Sequence, residues 1–113
     1  MPRRRSEVAV IVTLNTCPDE KTAELIANSL VSNKQAACVN LLRSLTSIYE
    51  WQGEIVRDNE VLLLIKSRAE AFDRIKSTIL ELHPYELPEI ISFEASTGLD
   101  AYIRWVEERS PIE

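Results

Sequence analysis

The residues with the clearest chemical potential are the single histidine, His83, and the two cysteines, Cys17 and Cys38. Imidazole titrates near neutral pH and is a common ligand of transition metals, and thiolates suit soft ions such as Cu(I). The histidine opens the segment HPYELPEI, which also supplies the carboxylate of Glu89. Carboxylate oxygens suit harder cations. We therefore take His83, Cys17, Cys38 and Glu89 as candidate metal ligands.

Each candidate also has a structural interpretation, which the sequence leaves open. His83 precedes a proline at the end of a predicted helix, where an imidazole can bond to the last carbonyl groups. A free cysteine is usually a small buried hydrophobic residue, whereas a helix N-terminus, as predicted near Cys17, lowers a thiol pKa. The sequence has no CxxC or HxxxH spacing. A closed metal site within one chain is therefore not expected, and any site would take ligands from neighbouring subunits.

Catalytic motifs have little support. The sequence holds no glycine-rich phosphate loop, no GxSxG and no Ser-His-Asp set in a plausible order. Lys66 follows the apolar run 61–65 and would be either a desolvated base or a charge that marks the end of a strand. We expect a protein that is not an enzyme, with catalysis by His83 or Lys66 as the alternative.

Length and charge limit the class of protein. The chain has 113 residues, of which 45% are hydrophobic and 27% charged, and this composition suits one globular domain. A net charge of -5 argues against nucleic acid or an anionic membrane as a partner. No apolar run approaches the roughly 20 residues needed to span a bilayer, and two cysteines are too few for a disulfide scaffold. We expect a cytoplasmic protein with a basic tail at 1–6 and a single domain at 7–113.

Strand and helix patterns alternate along the chain. Strands are predicted at 7–14, at 37–42 and 48–51 with a polar bulge or bend between them, at 54–65 and at 89–95. Helices are predicted after N-caps at Thr16, Ser67 and Thr97, each of which has an acidic residue three positions later. Pro84 ends the second helix. The predicted buried stripes of the first two helices are Ala23, Ile26, Ala27, Leu30 and Val31, then Phe72, Ile75, Ile79 and Leu82.

The order β-α-β-β-α-β with a C-terminal helix predicts a split βαβ, ferredoxin-like α+β fold with both main helices on one sheet face. The other face is expected to be apolar too, since Val10, Ala37 and the run 61–65 contribute to it. Gln52-Gly53 is predicted to turn a long hairpin that extends past the core. Exposed strand edges and apolar surface favour association of copies into a closed ring.

Several motifs together resemble the CutA family of divalent-ion tolerance proteins. The matching pieces are TCPDEKTAELIANSLV at 16–31, AACVN at 36–40, YEWQG at 49–53, LLIK at 63–66 and HPYELPEI at 83–90, with Tyr102 and Trp105 in the last helix. The resemblance covers residues 8–109. It implies a homotrimer whose sheet edges pair between subunits and whose hairpin reaches onto a neighbour. It also implies a link to tolerance of copper and other divalent metals, with no enzymatic reaction assigned.

On this resemblance, we expect Tyr49, Trp51, Lys66 and Tyr85 to line a cleft between subunits, together with His83 and Glu89. The sequence departs from the family pattern in two respects. Glu54 stands where a lysine is common. Asn15 stands where some members carry a cysteine, and Leu82 stands where some carry a second histidine. A metal site built on that cysteine and histidine would lack both ligands in this chain. We expect weak binding of copper or another divalent metal ion, none of it essential, at inter-subunit sites. The alternative is a signalling or adaptor trimer whose cleft binds a small anion or a partner loop.

Overall fold

The computed structural model describes residues 9–112, in which a four-stranded antiparallel sheet packs with three helices. The elements in chain order are β1 (Val10–Cys17), α1 (Glu20–Ser32), β2 (Cys38–Trp51), β3 (Glu54–Arg68), α2 (Phe72–Leu82), β4 (Ile91–Glu94) and α3 (Asp100–Arg109). The strand order is β2-β3-β1-β4. This arrangement confirms the predicted ferredoxin-like α+β fold. The basic tail predicted at 1–6 lies outside the described residues.

The main core lies between the sheet and the helix pair α1 and α2. On β3, the alternate residues Val61, Leu63 and Ile65 are buried against these helices, because successive side chains of a strand point to opposite faces. The helices contribute Ala23, Ile26 and Leu30 from α1, and Ile75 and Ile79 from α2. Val31, predicted on the same stripe of α1, is 43% exposed, so the buried stripe is narrower than predicted.

Helix α3 covers one end of the opposite sheet face. Val106 of α3 packs with Ala9 and Val10 in a second cluster. The guanidinium of Arg68 fixes the end of the helix, since its Nη2 donates to the Glu107 carbonyl at 2.7 Å and its Nε donates to the Ser110 carbonyl at 2.8 Å. Val10, which we expected on an uncovered face, is therefore buried by the chain's own last helix.

The rest of that face is uncovered and apolar within the described chain. The register places Leu42 beside Leu62 on neighbouring strands, with Ile91 and Phe93 on the same face of β4. Leu42, Ile91 and Phe93 are 43%, 51% and 56% exposed. We call this surface, formed by Val12, Leu14, Leu42, Leu62, Leu64, Ile91 and Phe93, the open face.

Strands β2 and β3 continue beyond the sheet as a two-stranded arm. The turn at Gln52 and Gly53 has φ values of 50° and 82°, as a two-residue hairpin turn of type I′ requires. The two predicted strand segments 37–42 and 48–51 are one strand, β2, with a register shift between Leu42 and Leu45. Ser44, at φ 61°, lies in this bulge. The arm makes the molecule elongated, with a longest dimension of 49 Å.

The predicted helix caps were wrong at all three N-termini. β1 extends through Thr16 to Cys17, and Asp19 caps α1 by accepting a hydrogen bond from the Thr22 N–H at 2.8 Å. Ser67 lies inside β3 and α2 begins only at Phe72, after a short 3-10 turn. α3 begins after Leu99 without a side-chain cap, so Thr97 has no such role. In each case the strand pattern or the following turn overrode a local capping signature.

Candidate functional site

The segment HPYELPEI forms a corner between α2 and β4 that is tied to β1. Helix α2 ends at Leu82, and the backbone of the next residue, His83, is extended because the following proline disfavours the α region. His83 is 7% exposed, and its ring makes two hydrogen bonds. Nε2 lies 2.8 Å from the Thr16 carbonyl oxygen, and Nδ1 lies 3.2 Å from the Tyr85 backbone nitrogen.

These two bonds define the tautomer of His83. A backbone N–H can only donate, so Nδ1 accepts from Tyr85, and a carbonyl can only accept, so Nε2 carries the proton and donates to Thr16. Both ring nitrogens are therefore occupied by backbone groups. A metal ion could bind His83 only after one of these bonds had broken.

The other end of the corner is held by Asn15, which is fully buried. Its Nδ2 donates to the Glu89 carbonyl at 2.9 Å, and its Oδ1 accepts a weak bond from the Cys17 thiol at 3.4 Å. Where some relatives were expected to carry a cysteine, this chain therefore uses an amide to close the corner. Thus β1 secures the segment near both ends, and the structural interpretation of His83 accounts for its geometry.

Two phenol–carboxylate pairs lie beside the corner at the base of the arm. Tyr85 donates to Glu60 Oε2 at 3.0 Å, and Tyr49 donates to Asp58. Burial, together with the hydrogen bond and negative charge of Glu60, raises the pKa of Tyr85 to about 12. The hydrogen bond to Asp58 is the main cause that raises the pKa of Tyr49. Both phenols therefore act as proton donors to carboxylates in a region of negative potential.

Asp58 and Glu60 are site residues that the sequence reasoning missed. The signal was available in the hairpin register, which pairs Asp58 with Ser47 and so places it diagonally opposite Tyr49. Glu60, on β3, is contacted by Tyr85 from a loop 25 residues further along the chain, and no local pattern predicts that contact. The predicted residues Tyr49, Tyr85 and His83 are thus brought together, with His83 and Tyr85 rings 4.8 Å apart.

Cys17 differs from its predicted character. We expected a helix N-terminus to lower its thiol pKa, but the residue is the last of β1 and is fully buried. Burial, followed by the negative charges of Asp19 and Glu60, raises the pKa of Cys17 to about 12. The thiol is protonated at neutral pH, which disfavours its use as a metal ligand.

The remaining predicted site residues lie elsewhere. Cys38 is half-buried opposite Lys66 on the two neighbouring strands, and the Lys66 Nζ is 5.9 Å from the centre of the Tyr102 ring. Trp51 is 63% exposed at the arm tip, and the Glu89 side chain is exposed. Within residues 9–112, no three His, Cys, Asp or Glu side chains are grouped closely enough to hold a metal ion.

The sheet order, the two-helix layer and the projecting arm define the class of a ferredoxin-like α+β protein with an extended hairpin. The family model described as CutA1 divalent ion tolerance protein matches residues 11–109. The chain therefore belongs to the CutA1 family, as its motifs predicted.

Individual relatives agree with this assignment. The "Divalent-cation tolerance protein CutA" of Thermus thermophilus is 46% identical over 99 residues, covering 88% of this chain and 96% of that protein. The human "Protein CutA" is 42% identical over 93 residues, covering 82% of this chain and 52% of its own length, so this chain spans about half of the human relative. A solved structure of the Thermus thermophilus divalent cation tolerance protein superposes with a TM-score of 0.87 at 44% identity, covering 90% and 99% of the two chains.

The names of other relatives point to more than one compartment. An Arabidopsis thaliana relative is named "Protein CutA, chloroplastic"; it is 35% identical over 107 residues, which cover 95% of this chain and 59% of that protein. A solved Archaeoglobus fulgidus structure is called a periplasmic divalent cation tolerance protein, with 29% identity, a TM-score of 0.87 and coverage of 90% and 99%. None of the helices in the described part of the chain has the length and apolar character needed to cross a membrane.

Proposed function

We propose that this protein acts as a homotrimer in the tolerance of divalent cations and binds copper or another divalent metal ion weakly at sites shared between subunits. Family membership supports the link to divalent cations. The dispersal of Cys38, Glu89 and His83 over one chain supports shared sites, because a metal ion needs several ligands at one point. We expect the metal not to be essential for folding, because every buried side-chain polar atom of the described residues already has a hydrogen-bond partner.

The observation that carries the trimer is the open face. Its apolar residues lie side by side across all four strands, and the largest of them, Phe93, is 56% exposed. A contiguous apolar sheet surface beside unpaired strand edges favours association with further copies. The arm exposes Trp51 near its tip, and we expect it to contact a neighbouring subunit in a closed ring.

The oligomeric state tests this first part. Sedimentation equilibrium of the full chain should give three times the mass of 12.9 kDa. Phe93→Glu, which places a charge on the edge strand β4 of the open face, should shift the protein toward the monomer. Leu80→Glu offers a matched control, since Leu80 is 54% exposed on α2, on the opposite side of the sheet. A stable, well-folded monomer of the wild-type protein at micromolar concentration contradicts the trimer.

Calorimetry tests the metal sites. Cu(II) and Zn(II) are titrated into the wild type, Cys38→Ser, Glu89→Gln and His83→Asn, with Glu70→Gln as an exposed carboxylate control. We expect weak binding that Cys38→Ser or Glu89→Gln reduces, because these side chains are accessible and make no described hydrogen bond. Equal heats from all of the variants would remove the specific site.

A second function is favoured by the surroundings of Lys66. Its ammonium lies over Tyr102, and the Tyr102 and Trp105 rings are 5.6 Å apart. A cation beside aromatic walls suits a small anion. The protein would then be a signalling or adaptor trimer that binds this anion, and metal would have no role. Thermal-shift screening with phosphate, carboxylate and nucleotide anions tests it on the wild type and Lys66→Met. Lys76→Met is the control, because Lys76 lies similarly, at 5.8 Å, over Phe72.

We further propose that the protein has no enzymatic activity and acts in the cytoplasm, without nucleic acid or membrane as a partner. The occupied ring nitrogens of His83 support the first point, since a general base needs a free nitrogen. The net charge of -5 supports the last point. Fractionation of cells that express the full-length natural protein with a C-terminal tag tests its location.

A further inference from the structure

One side of the arm carries two isoleucines that the described part of the chain leaves exposed. The register of β2 and β3 pairs Ile48 with Arg57 and Glu50 with Ile55. Because side chains alternate along a strand, these four residues point to the same side of the arm. Ile48 and Ile55 are 58% and 72% exposed. We call the surface formed by these four residues the isoleucine face.

The isoleucine face is separate from the surfaces that support the proposed trimer. Tyr49, Trp51 and Asp58 occupy the alternate positions of the same two strands, so they point to the other side of the arm. The open face lies on the sheet, before the bulge of β2. A contact made by the isoleucine face therefore leaves the open face and Trp51 available, and it does not depend on the trimer.

The isoleucine face carries two charges that have no partner in the described chain. Neither Glu50 nor Arg57 forms an ion pair or a side-chain hydrogen bond within residues 9–112. The four positions form a rectangle, in which Ile48 and Ile55 end one diagonal and the two charges end the other. Apolar and charged side chains thus alternate around the rectangle, and the two charges have opposite signs.

This rectangle is complementary to a second copy of itself in one orientation. Two copies can stack face to face about a two-fold axis that runs along the strands, across them, or along either diagonal. An axis along or across the strands places each isoleucine on a charge. An axis along the diagonal from Glu50 to Arg57 places each charge on its like. An axis along the diagonal from Ile48 to Ile55 places isoleucine on isoleucine and Arg57 of each copy on Glu50 of the other.

We propose that two copies of this chain pair through their isoleucine faces about the Ile48–Ile55 diagonal. Neighbouring strands are about 4.8 Å apart and alternate residues of one strand about 6.8 Å apart, so the paired arms cross at roughly 70°. This angle is close to the crossed arrangement of stacked sheets. The face is smaller than a standard interface of roughly 1,600 Å², so the pairing is weak and requires a high protein concentration.

Sedimentation of the full chain at rising protein concentration tests the pairing. In about 0.15 M salt, the average mass should rise above that of the unit found at low concentration, whether monomer or trimer, as the protein approaches about 1 mM. The methyl NMR signals of Ile48 and Ile55 should shift over the same range. Ile112 provides the control signal, because it is 56% exposed and follows α3, away from the arm.

Reversal of the two charges tests the orientation. Arg57→Glu and Glu50→Arg each place like charges opposite one another twice in the pair, so each variant alone should associate at least about tenfold more weakly than the wild type. A mixture of the two variants should recover association, because the two introduced charges then meet each other. Arg104→Glu reverses an exposed charge on α3 and should associate like the wild type. Circular dichroism confirms that each variant is folded.

Three results overturn the proposal. One is an average mass that stays constant up to about 1 mM. Another is association of Arg57→Glu or Glu50→Arg equal to that of the wild type, or a mixture that does not recover. The third is dissociation by Arg57→Glu of the unit found at low concentration, which would mean that this face is covered inside the proposed trimer. The mass at low concentration tests the trimer, and its rise tests the pairing, so the two proposals fail separately.

Discussion

Replacement of His83 by alanine should destabilise the fold in the absence of any metal. The imidazole satisfies two backbone groups, the Thr16 carbonyl and the Tyr85 N–H, in a place where only 7% of the side chain is exposed. A buried backbone group without a partner costs about 1–3 kcal/mol. Water can reach part of the corner after the truncation, so we expect His83→Ala to lower the free energy of unfolding by about 2–4 kcal/mol.

Two further variants divide this loss between the two ring nitrogens. Asparagine places its amide oxygen near the position of Nδ1 and can accept from Tyr85, whereas glutamine reaches the position of Nε2 and can donate to Thr16. Each of His83→Asn and His83→Gln should therefore recover one bond, and each should be more stable than His83→Ala by about 1 kcal/mol.

Urea denaturation, followed by tryptophan fluorescence with EDTA present and at one fixed protein concentration, gives these values. The chelator separates a structural role from a metal-binding role. If the free energy of unfolding of His83→Ala lies within about 0.5 kcal/mol of the wild-type value, a typical margin for neutral surface substitutions, the two hydrogen bonds do not stabilise the corner. If Asn and Gln are no better than Ala, the assigned tautomer is wrong.

Three other perturbations test separate features. Because the pKa of Cys17 is raised from 9.0 to about 12, the folded protein keeps a proton that the unfolded chain loses above pH 9. Stability should therefore fall as pH rises from 9 to 12, by at most about 1.4 kcal/mol per pH unit for this group, and a smaller slope is expected in urea titrations of Cys17→Ala. Trp51→Ala should reduce assembly, measured by sedimentation, more than it lowers the melting temperature of the subunit, because the Trp51 ring is 63% exposed. An unchanged mass and an unchanged melting point would contradict a contact between Trp51 and a neighbouring subunit. Gln52→Asn should stabilise the arm by roughly 0.5 kcal/mol and Gly53→Ala should destabilise it by about 1 kcal/mol, since both positions have positive φ. Hydrogen exchange of the arm amides measures both effects. Equal exchange rates in the two variants and the wild type would disprove the turn assignment.

The fold could be predicted because its patterns are periodic and long. The alternation at 61–65 and the helical stripe from Ala23 to Leu30 each repeat over several residues, so single ambiguous positions do not change the assignment. The turn at Gln52-Gly53 was recognisable because few residue pairs tolerate positive φ at both positions.

Helix starts were harder to predict because capping depends on a single side chain. Thr16 and Asp19 both suit an N-cap, and the choice between them was made by the length of β1 and its pairing with β3 up to Val61. The wrong prediction for the thiol pKa of Cys17 had the same cause. A residue at the end of a buried strand is desolvated, whereas one at a helix start is not.

The site was only partly predictable for a different reason. HPYELPEI was recognisable as a chemically rich corner, but the partners of His83 and Tyr85 are 67 and 25 residues away in the chain. One of them is a backbone carbonyl, which residue identity cannot reveal. The role of Glu60 depends on burial, and burial of a charged residue on an otherwise alternating strand has no sequence signature.

The extra residue in β2 has a consequence for the direction of the arm. The core fixes the pairing of Leu42 with Leu62, and the two-residue turn independently fixes the pairing of Trp51 with Glu54. Removal of Ser44 would make these two registers continuous and would leave every later side chain of β2 opposite its present partner. The loss would be the added bend and twist that a bulge produces. A one-residue deletion could thus change the direction of the arm while preserving the side chains on its surface. Evolution or design can therefore adjust the direction of the arm independently of its surface chemistry.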